Sequence, residues 1–185
     1  RTMILSGVSH DLRTPLTRLK LGLSFLPEEQ RKPLEKDVED MNLLLNEFLD
    51  FAKQDNETDL PTEDINPTVL VNELIENFRR TGIQIESIGD IGNNLFKLKP
   101  FPIKRALENL INNADRYGKK ILLEMKIENN FLILSVHDDG PGIDEAQYDE
   151  VLQPFTRLDP SRNQNKGSGV GLGLPIAKEI VEGQG

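Results

Sequence analysis

The sequence predicts an α+β protein built from two modules: a two-helix hairpin over residues 1–55, then a domain over residues 61–185 with a mostly antiparallel sheet and helices on one face. Three observations lead there. Leucines recur at steps of three and four through the first fifty residues. Beyond residue 80, short apolar runs alternate with polar residues. Between the two patterns lies a polar stretch rich in helix breakers, Gln54-Asp55-Asn56-Glu57-Thr58-Asp59-Leu60-Pro61, which reads as a linker.

Composition narrows the function. The chain has 185 residues and a net charge of −9. The charge is uneven: residues 1–53 carry 8 basic and 9 acidic side chains, and residues 54–185 carry 14 basic and 22 acidic, a net of −8. Such acidity speaks against nucleic-acid binding, which needs Lys/Arg-rich surface. No apolar run reaches the ~20 residues of a membrane helix, so no membrane contact is expected from this part of the protein. The opening Arg1-Thr2-Met3-Ile4-Leu5-Ser6 does not read as a signal peptide. With no cysteine and only two histidines, His10 and His137, disulfides, thiolate catalysis and multi-histidine metal centres are set aside.

In the first module, Leu5, Val8, Leu12, Leu16, Leu19, Leu23 and Leu26 form one helical stripe, closed by Pro27. Leu34, Val38, Met41, Leu45, Phe48 and Ala52 form a second, widened by Leu44, Leu49 and Phe51. The short connection predicts antiparallel packing. Two helices alone cannot bury such stripes. A second copy completing a four-helix bundle would do so, and so would packing against the second module. His10 falls opposite the stripe, with Thr14, Thr17 and Leu21 along its side and Asp11 next to it. A histidine, two threonines and a leucine in one line suggest a docking strip; a lone exposed histidine is more often plain surface. Pro15 should bend the helix just past His10.

In the second module, a helix is expected after Pro67 through Val69, Leu70, Leu74, Ile75 and Phe78. Strands are expected at Ile83–Glu86 and Leu95–Leu98. A helical stripe follows in Ile103, Ala106, Leu107, Leu110, Ile111 and Ala114, then a hairpin of Ile121–Ile127 and Phe131–Val136 joined at Glu128-Asn129-Asn130. His137 reads as a surface residue at a strand end.

Four segments of this module carry chemistry. On the Asn109–Tyr117 stretch, Asn109, Asn113 and Arg116 share a helical side; amide oxygens can ligate Mg²⁺ and a guanidinium can meet phosphate, although a polar helix face is the ordinary meaning. In Asp138-Asp139-Gly140-Pro141-Gly142-Ile143, two glycines let backbone approach a planar ligand, and a carboxylate can accept from an amino group. Gln153-Pro154-Phe155-Thr156-Arg157 sets an aromatic and a cation beside a loop. Last, Gly167-Ser168-Gly169-Val170-Gly171-Leu172-Gly173-Leu174 opens into an apolar helix, an arrangement whose backbone N–H groups favour phosphate.

In this order and spacing the segments resemble the sensor histidine kinases of two-component systems. Ser9-His10-Asp11-Leu12-Arg13-Thr14-Pro15-Leu16 resembles the family's H box, Asn109–Tyr117 its N box, Asp138–Ile143 its G1 box, Pro154-Phe155 its F box and Gly169–Leu174 its G2 box. The resemblance implies a homodimeric phosphotransfer hairpin joined to a Bergerat-type ATP-binding α/β sandwich. It implies a protein histidine kinase that uses ATP and Mg²⁺, phosphorylates His10 and passes the phosphoryl group to an OmpR-like response regulator, with phosphatase activity in reverse. The roles it implies place Asp11 beside the reacting His10 and give Thr14 the positioning of water. Asp138, Gly140, Gly142 and Ile143 would hold the base, Asn113 and Asn109 the metal ion, and Arg116 and Tyr117 the phosphate chain. Phe155 and Arg157 would belong to a lid, and Gly169, Val170, Gly171, Leu172, Gly173 and Leu174 would offer N–H groups to phosphates. A non-catalytic ATP-switched scaffold and an ATPase without phosphotransfer are the alternatives. Two departures stand out. Pro175 replaces the family's usual alanine, so the last helix is expected to start differently. The family continues past Gly185 into two further strands, so a C-terminally truncated domain is expected. A membrane-spanning sensor region is expected upstream, making this the cytoplasmic portion of a bacterial inner-membrane sensor.

Overall fold

The computed structural model describes residues 2–52, 60–158 and 171–183. Helix α1 (Thr2–Leu23) and helix α2 (Glu28–Ala52) form the hairpin, joined by only four residues. The turn is closed by the Pro27 carbonyl, which accepts from the N–H groups of Gln30 and Arg31 at 3.0 and 2.9 Å. Helix α2 thus begins six residues before its apolar stripe, and Pro33 sits inside it. Pro33 is the sixth residue of the helix, past the first N–H groups that lack an intrahelical partner, so it removes the bond its position would donate to the Glu29 carbonyl. Pro15 likewise lies within the continuous α1. Arg13 reaches across to Asn46 Oδ1 at 2.8 Å, and Lys20 pairs with Glu39 at 3.4 Å, which fixes the register of the two helices.

Among the described residues the hairpin leaves much of its stripes uncovered. Val38 and Leu49 are buried, whereas Leu12, Leu19, Leu34, Met41, Leu44 and Phe48 stay exposed on the single chain. Each is about half exposed already, so covering the remainder would contribute about 1 kcal/mol apiece, and together they leave the hairpin a substantial drive to associate.

The second module runs β1 (Glu63–Ile65), α3 (Pro67–Arg80), β2 (Ile85–Ile88), β3 (Phe96–Leu98), α4 (Pro100–Tyr117), β4 (Ile121–Glu128), β5 (Phe131–Asp138), a 3₁₀ turn at Glu145–Gln147, α5 (Tyr148–Val151) and α6 (Gly173–Glu182). Local chemistry sets the boundaries. Asn66 Oδ1 accepts from Thr68 N and Val69 N, and Pro67 supplies the first turn of α3. Asn129 and Asn130 both take positive φ, the geometry of a two-residue hairpin turn between β4 and β5.

Among the described residues, β1 pairs antiparallel with β3, and a second sheet has the order β2-β4-β5. Two of the three pairings are antiparallel, but β2 runs parallel to β4 with Ile85 opposite Ile121. The connection from β2 to β4 passes through α4, which is long enough to return the chain in the same direction. Alternation on β4 sends Ile121, Leu123 and Met125 inward, where they meet Val71, Leu74 and Ile75 of α3 and Leu107, Ile111 and Ala114 of α4. A smaller core joins the other side of α4 to α6, through Ala106, Leu172, Ile176, Ala177 and Ile180. Helix α4 therefore has apolar contacts on two sides, and this fixes the polar residues it carries.

Candidate functional site

Helix α4 is the backbone of the site. Asn109 and Asn113, one turn apart on α4, are half-buried, and Arg116 and Tyr117 occupy its last turn. Gly173, the first residue of α6, packs against Asn109: a β-carbon there would lie 3.7 Å from Asn109 Oδ1. Pro175 falls in the first turn of α6, where no backbone donor is needed, so the helix begins at Gly173 despite the proline. Leu172 is completely buried in the α4–α6 core and anchors that start, so its side chain holds the loop and cannot face a ligand. The N–H groups at the start of α6 lack intrahelical acceptors and suit an anion.

The turn after β5 closes on the C-terminal end of the same helix. Asp138 is the last residue of β5, opposite Ile121. Its Oδ1 accepts from Gly140 N at 2.7 Å, which curls the chain back. A β-carbon on Gly140 would stand 3.0 Å from the Tyr117 carbonyl oxygen, so a side chain there would push the turn off α4. Gly142, at φ +74°, has open space where its β-carbon would be, and Ile143 is exposed beside it. Pro141 and Gly142 thus present bare backbone beside the Asp138 carboxylate.

The 155–158 segment is tied to this assembly from the other side. Phe155 N donates to the Gly171 carbonyl at 3.0 Å. Phe155 itself has φ +67°, an unusual conformation for a residue with a side chain, and its ring is exposed. Arg157 is exposed close by in sequence. Gly169 and Val170 lie outside the described residues.

Asn109, Asn113, Arg116, Tyr117, Asp138, Gly140, Gly142, Ile143, Phe155, Gly171, Leu172, Gly173 and Leu174 are therefore gathered along α4 and its two neighbouring loops. His10 and Asp11 lie in α1, and their side chains are outside the described residues. Thr14 is exposed on α1. Thr17 Oγ1 donates to the Arg13 carbonyl at 3.0 Å, so its hydroxyl is turned back into the helix. His137 is an exposed residue of β5 whose Nε2 lies 3.2 Å from Glu124 Oε2 on the outer sheet face. Among the described residues no group of three or more His, Cys, Asp or Glu could hold a metal ion. The half-buried amide oxygens of Asn109 and Asn113 are hard donors that fit Mg²⁺ only if a ligand's phosphates complete its shell.

One participant went unread in the sequence: Asp139, whose Oδ1 accepts from Lys119 N at 2.6 Å and Lys120 N at 2.9 Å. These two backbone bonds hold its carboxyl below the usual aspartate range. Two successive aspartates at a strand end, the first curling its own turn, were the available signal.

Comparison with known proteins places the chain in a family. Residues 1–57 match the His Kinase A (phospho-acceptor) domain, and residues 99–185 match the histidine kinase-, DNA gyrase B- and HSP90-like ATPase family. The sensor histidine kinase GtrS of Pseudomonas aeruginosa is 32% identical over all of this chain, which covers 38% of GtrS. The chain belongs to the sensor histidine kinases. The histidine kinase AdeS of Acinetobacter baumannii superposes with a TM-score of 0.63 at 25% identity, over 94% of this chain and 86% of that one. The histidine kinase domain of the Escherichia coli osmosensor EnvZ gives 0.50 at 36% identity, over 67% and 76%. The chain spans about two fifths of the length of the curated relatives it matches. Among its described residues no helix is long and apolar enough to cross a membrane.

Proposed function

We propose that this chain is the phosphotransfer and ATP-binding core of a sensor kinase: it phosphorylates His10 from ATP and hands the phosphoryl group to an aspartate of an OmpR-like response regulator. The observation that carries the reading is the convergence on α4 of the Asp138–Gly142 turn at one end and the Gly171–Gly173 segment at its middle. Residues 1–55 act as the dimerisation and phosphotransfer hairpin, and residues 61–185 as the nucleotide domain. Asp138 accepts from the adenine amino group, and Gly140, Gly142 and Ile143 close on the base. Arg116 and Tyr117 face the phosphate chain. The backbone N–H groups of Gly169, Val170, Gly171, Leu172, Gly173 and Leu174 receive the phosphates, under a lid that includes Phe155 and Arg157. Asn113, helped by Asn109, would hold Mg²⁺, which supplies charge neutralisation on the phosphates when bound.

In the reaction a ring nitrogen of His10 attacks the γ-phosphorus, the bond from that phosphorus to the β–γ bridging oxygen breaks, and ADP leaves. Asp11 acts as base or orienter of the imidazole. Positioning and electrostatics supply most of the rate, as elsewhere in phosphoryl transfer. Thr14, one helical turn beyond His10, holds the water that dephosphorylates the docked regulator. The upstream part of the protein supplies a membrane-anchored sensor, which leaves this core in the bacterial cytoplasm.

Labelling with γ-³²P-ATP tests the reading. The full-length protein should acquire an acid-labile, alkali-stable phosphoryl group, absent in His10→Gln. Phosphate release without labelled protein would replace it with the ATPase alternative. ATP binding without either product would leave the scaffold.

A further inference from the structure

Asp139 has no part in the roles above, yet its geometry is specific. Its exposed carboxylate bridges the N–H groups of Lys119 and Lys120, which lie in the three-residue turn between α4 and β4. The same turn is pressed against the chain around Asp138: a β-carbon on Gly118 would lie 3.0 Å from Asp138 Cβ and 3.0 Å from Asp139 Oδ1. One carboxylate oxygen therefore fastens the end of α4, which carries Asn113 and Arg116, to the turn that begins at Asp138.

We propose that Asp139 is a positioning residue of the nucleotide site, setting the span between its base end at Asp138 and its phosphate end at Asn113 and Arg116. The inference rests on the nucleotide reading given above. Two backbone N–H groups in an exposed turn could be served by water, so folding does not require this carboxylate. A ligand that must touch both ends does require a fixed span, because displacements of about 1 Å at a binding site are costly. Adenosine touches only the base end and should be indifferent to the clamp.

The test compares Mg-ATP and adenosine binding to the full-length protein and to Asp139→Ala, Asp139→Asn and Asp139→Glu. Asparagine retains an acceptor oxygen in the same place. Glutamate keeps the charge but displaces the oxygen by one methylene. Asp139→Ala and Asp139→Glu should weaken ATP about tenfold, the effect of one or two lost hydrogen bonds, and leave adenosine within about twofold. Asp139→Asn should bind ATP nearly as wild type does. Equal losses for ATP and adenosine would show general loosening and overturn the proposal, as would unchanged ATP binding in Asp139→Glu. The Asn/Glu pair decides the matter even if Asp139→Ala does not fold. A wild-type protein that fails to bind ATP would overturn the nucleotide reading and this inference with it, whereas wild-type binding with insensitive variants would remove only the inference.

Discussion

Gly171 is packed directly on the backbone of Thr156. Its carbonyl accepts from Phe155 N–H at 3.0 Å, and a β-carbon on it would collide with the Thr156 carbonyl oxygen. Gly171 also holds φ +77°, where side chains are strained. The obstacle is backbone, which cannot swing aside as a flexible side chain can. Gly171→Ala should therefore force the 155–156 segment away from the start of α6. The expected result is a loss of ATP affinity of at least about tenfold in calorimetry, equivalent to about 1.4 kcal/mol. An affinity within twofold of wild type would show that this junction does not shape the site.

Phe48 and Leu49 are neighbours with opposite environments: Phe48 is 43% exposed on the single chain and Leu49 only 1%. If the exposed stripe is covered by a second copy, Phe48→Asp should spare the hairpin and break the dimer. Each buried unpartnered carboxylate costs at least about 2 kcal/mol, and a homodimer buries two, so the dimer Kd should rise by roughly a thousandfold. Leu49→Asp should instead unfold the hairpin. Light scattering with circular dichroism separates the two outcomes, and an unaltered dimer in Phe48→Asp would place the interface elsewhere.

Leu21 is 63% exposed on α1. With the Thr17 hydroxyl bonded back to Arg13, that residue offers its methyl group, so the strip beyond Thr14 is apolar. Leu21→Arg should leave autophosphorylation intact and slow transfer to the regulator about tenfold, the scale of one good interface contact. Rapid-quench transfer kinetics check this, and unchanged transfer would mark the strip as ordinary surface.

Glu108, on α4 beside Asn109, is half-buried, and desolvation raises its pKa despite the opposing pull of Lys104 and Arg105. The folded state thus favours the protonated acid more than the unfolded chain does. The stability tied to this proton is fully present below the unfolded glutamate value and is lost as pH rises through the folded value. Glu108→Gln should therefore melt above wild type at neutral pH, and the gap should close toward about pH 4, near the ordinary glutamate range. A gap that is constant with pH would remove Glu108 as its source.

Much of this architecture is local information. The leucine spacing of the hairpin, the stripe of α4, the Asn129-Asn130 turn and the glycine segments each state their conformation within a few residues, because side-chain periodicity and φ preferences act at that range. The residue types of Asn113, Asp138 and the glycines suggested a nucleotide for the same reason, since amides, carboxylates and bare backbone carry ligand preferences of their own, but it was the resemblance that implied their roles.

Tertiary structure decided the rest. Ile85 pairs parallel with Ile121 because α4 returns the chain between them, a relation no window of sequence contains. Leu172 belongs to the core because α6 packs on Ala106. Asp139 turned out to be a clamp only because β5 ends beside the turn after α4. Sequence by itself supplied the residue types that suit a nucleotide; packing of α4 between two cores determined which of them stand together, since proximity across the chain is fixed by the burial of side chains far from the site.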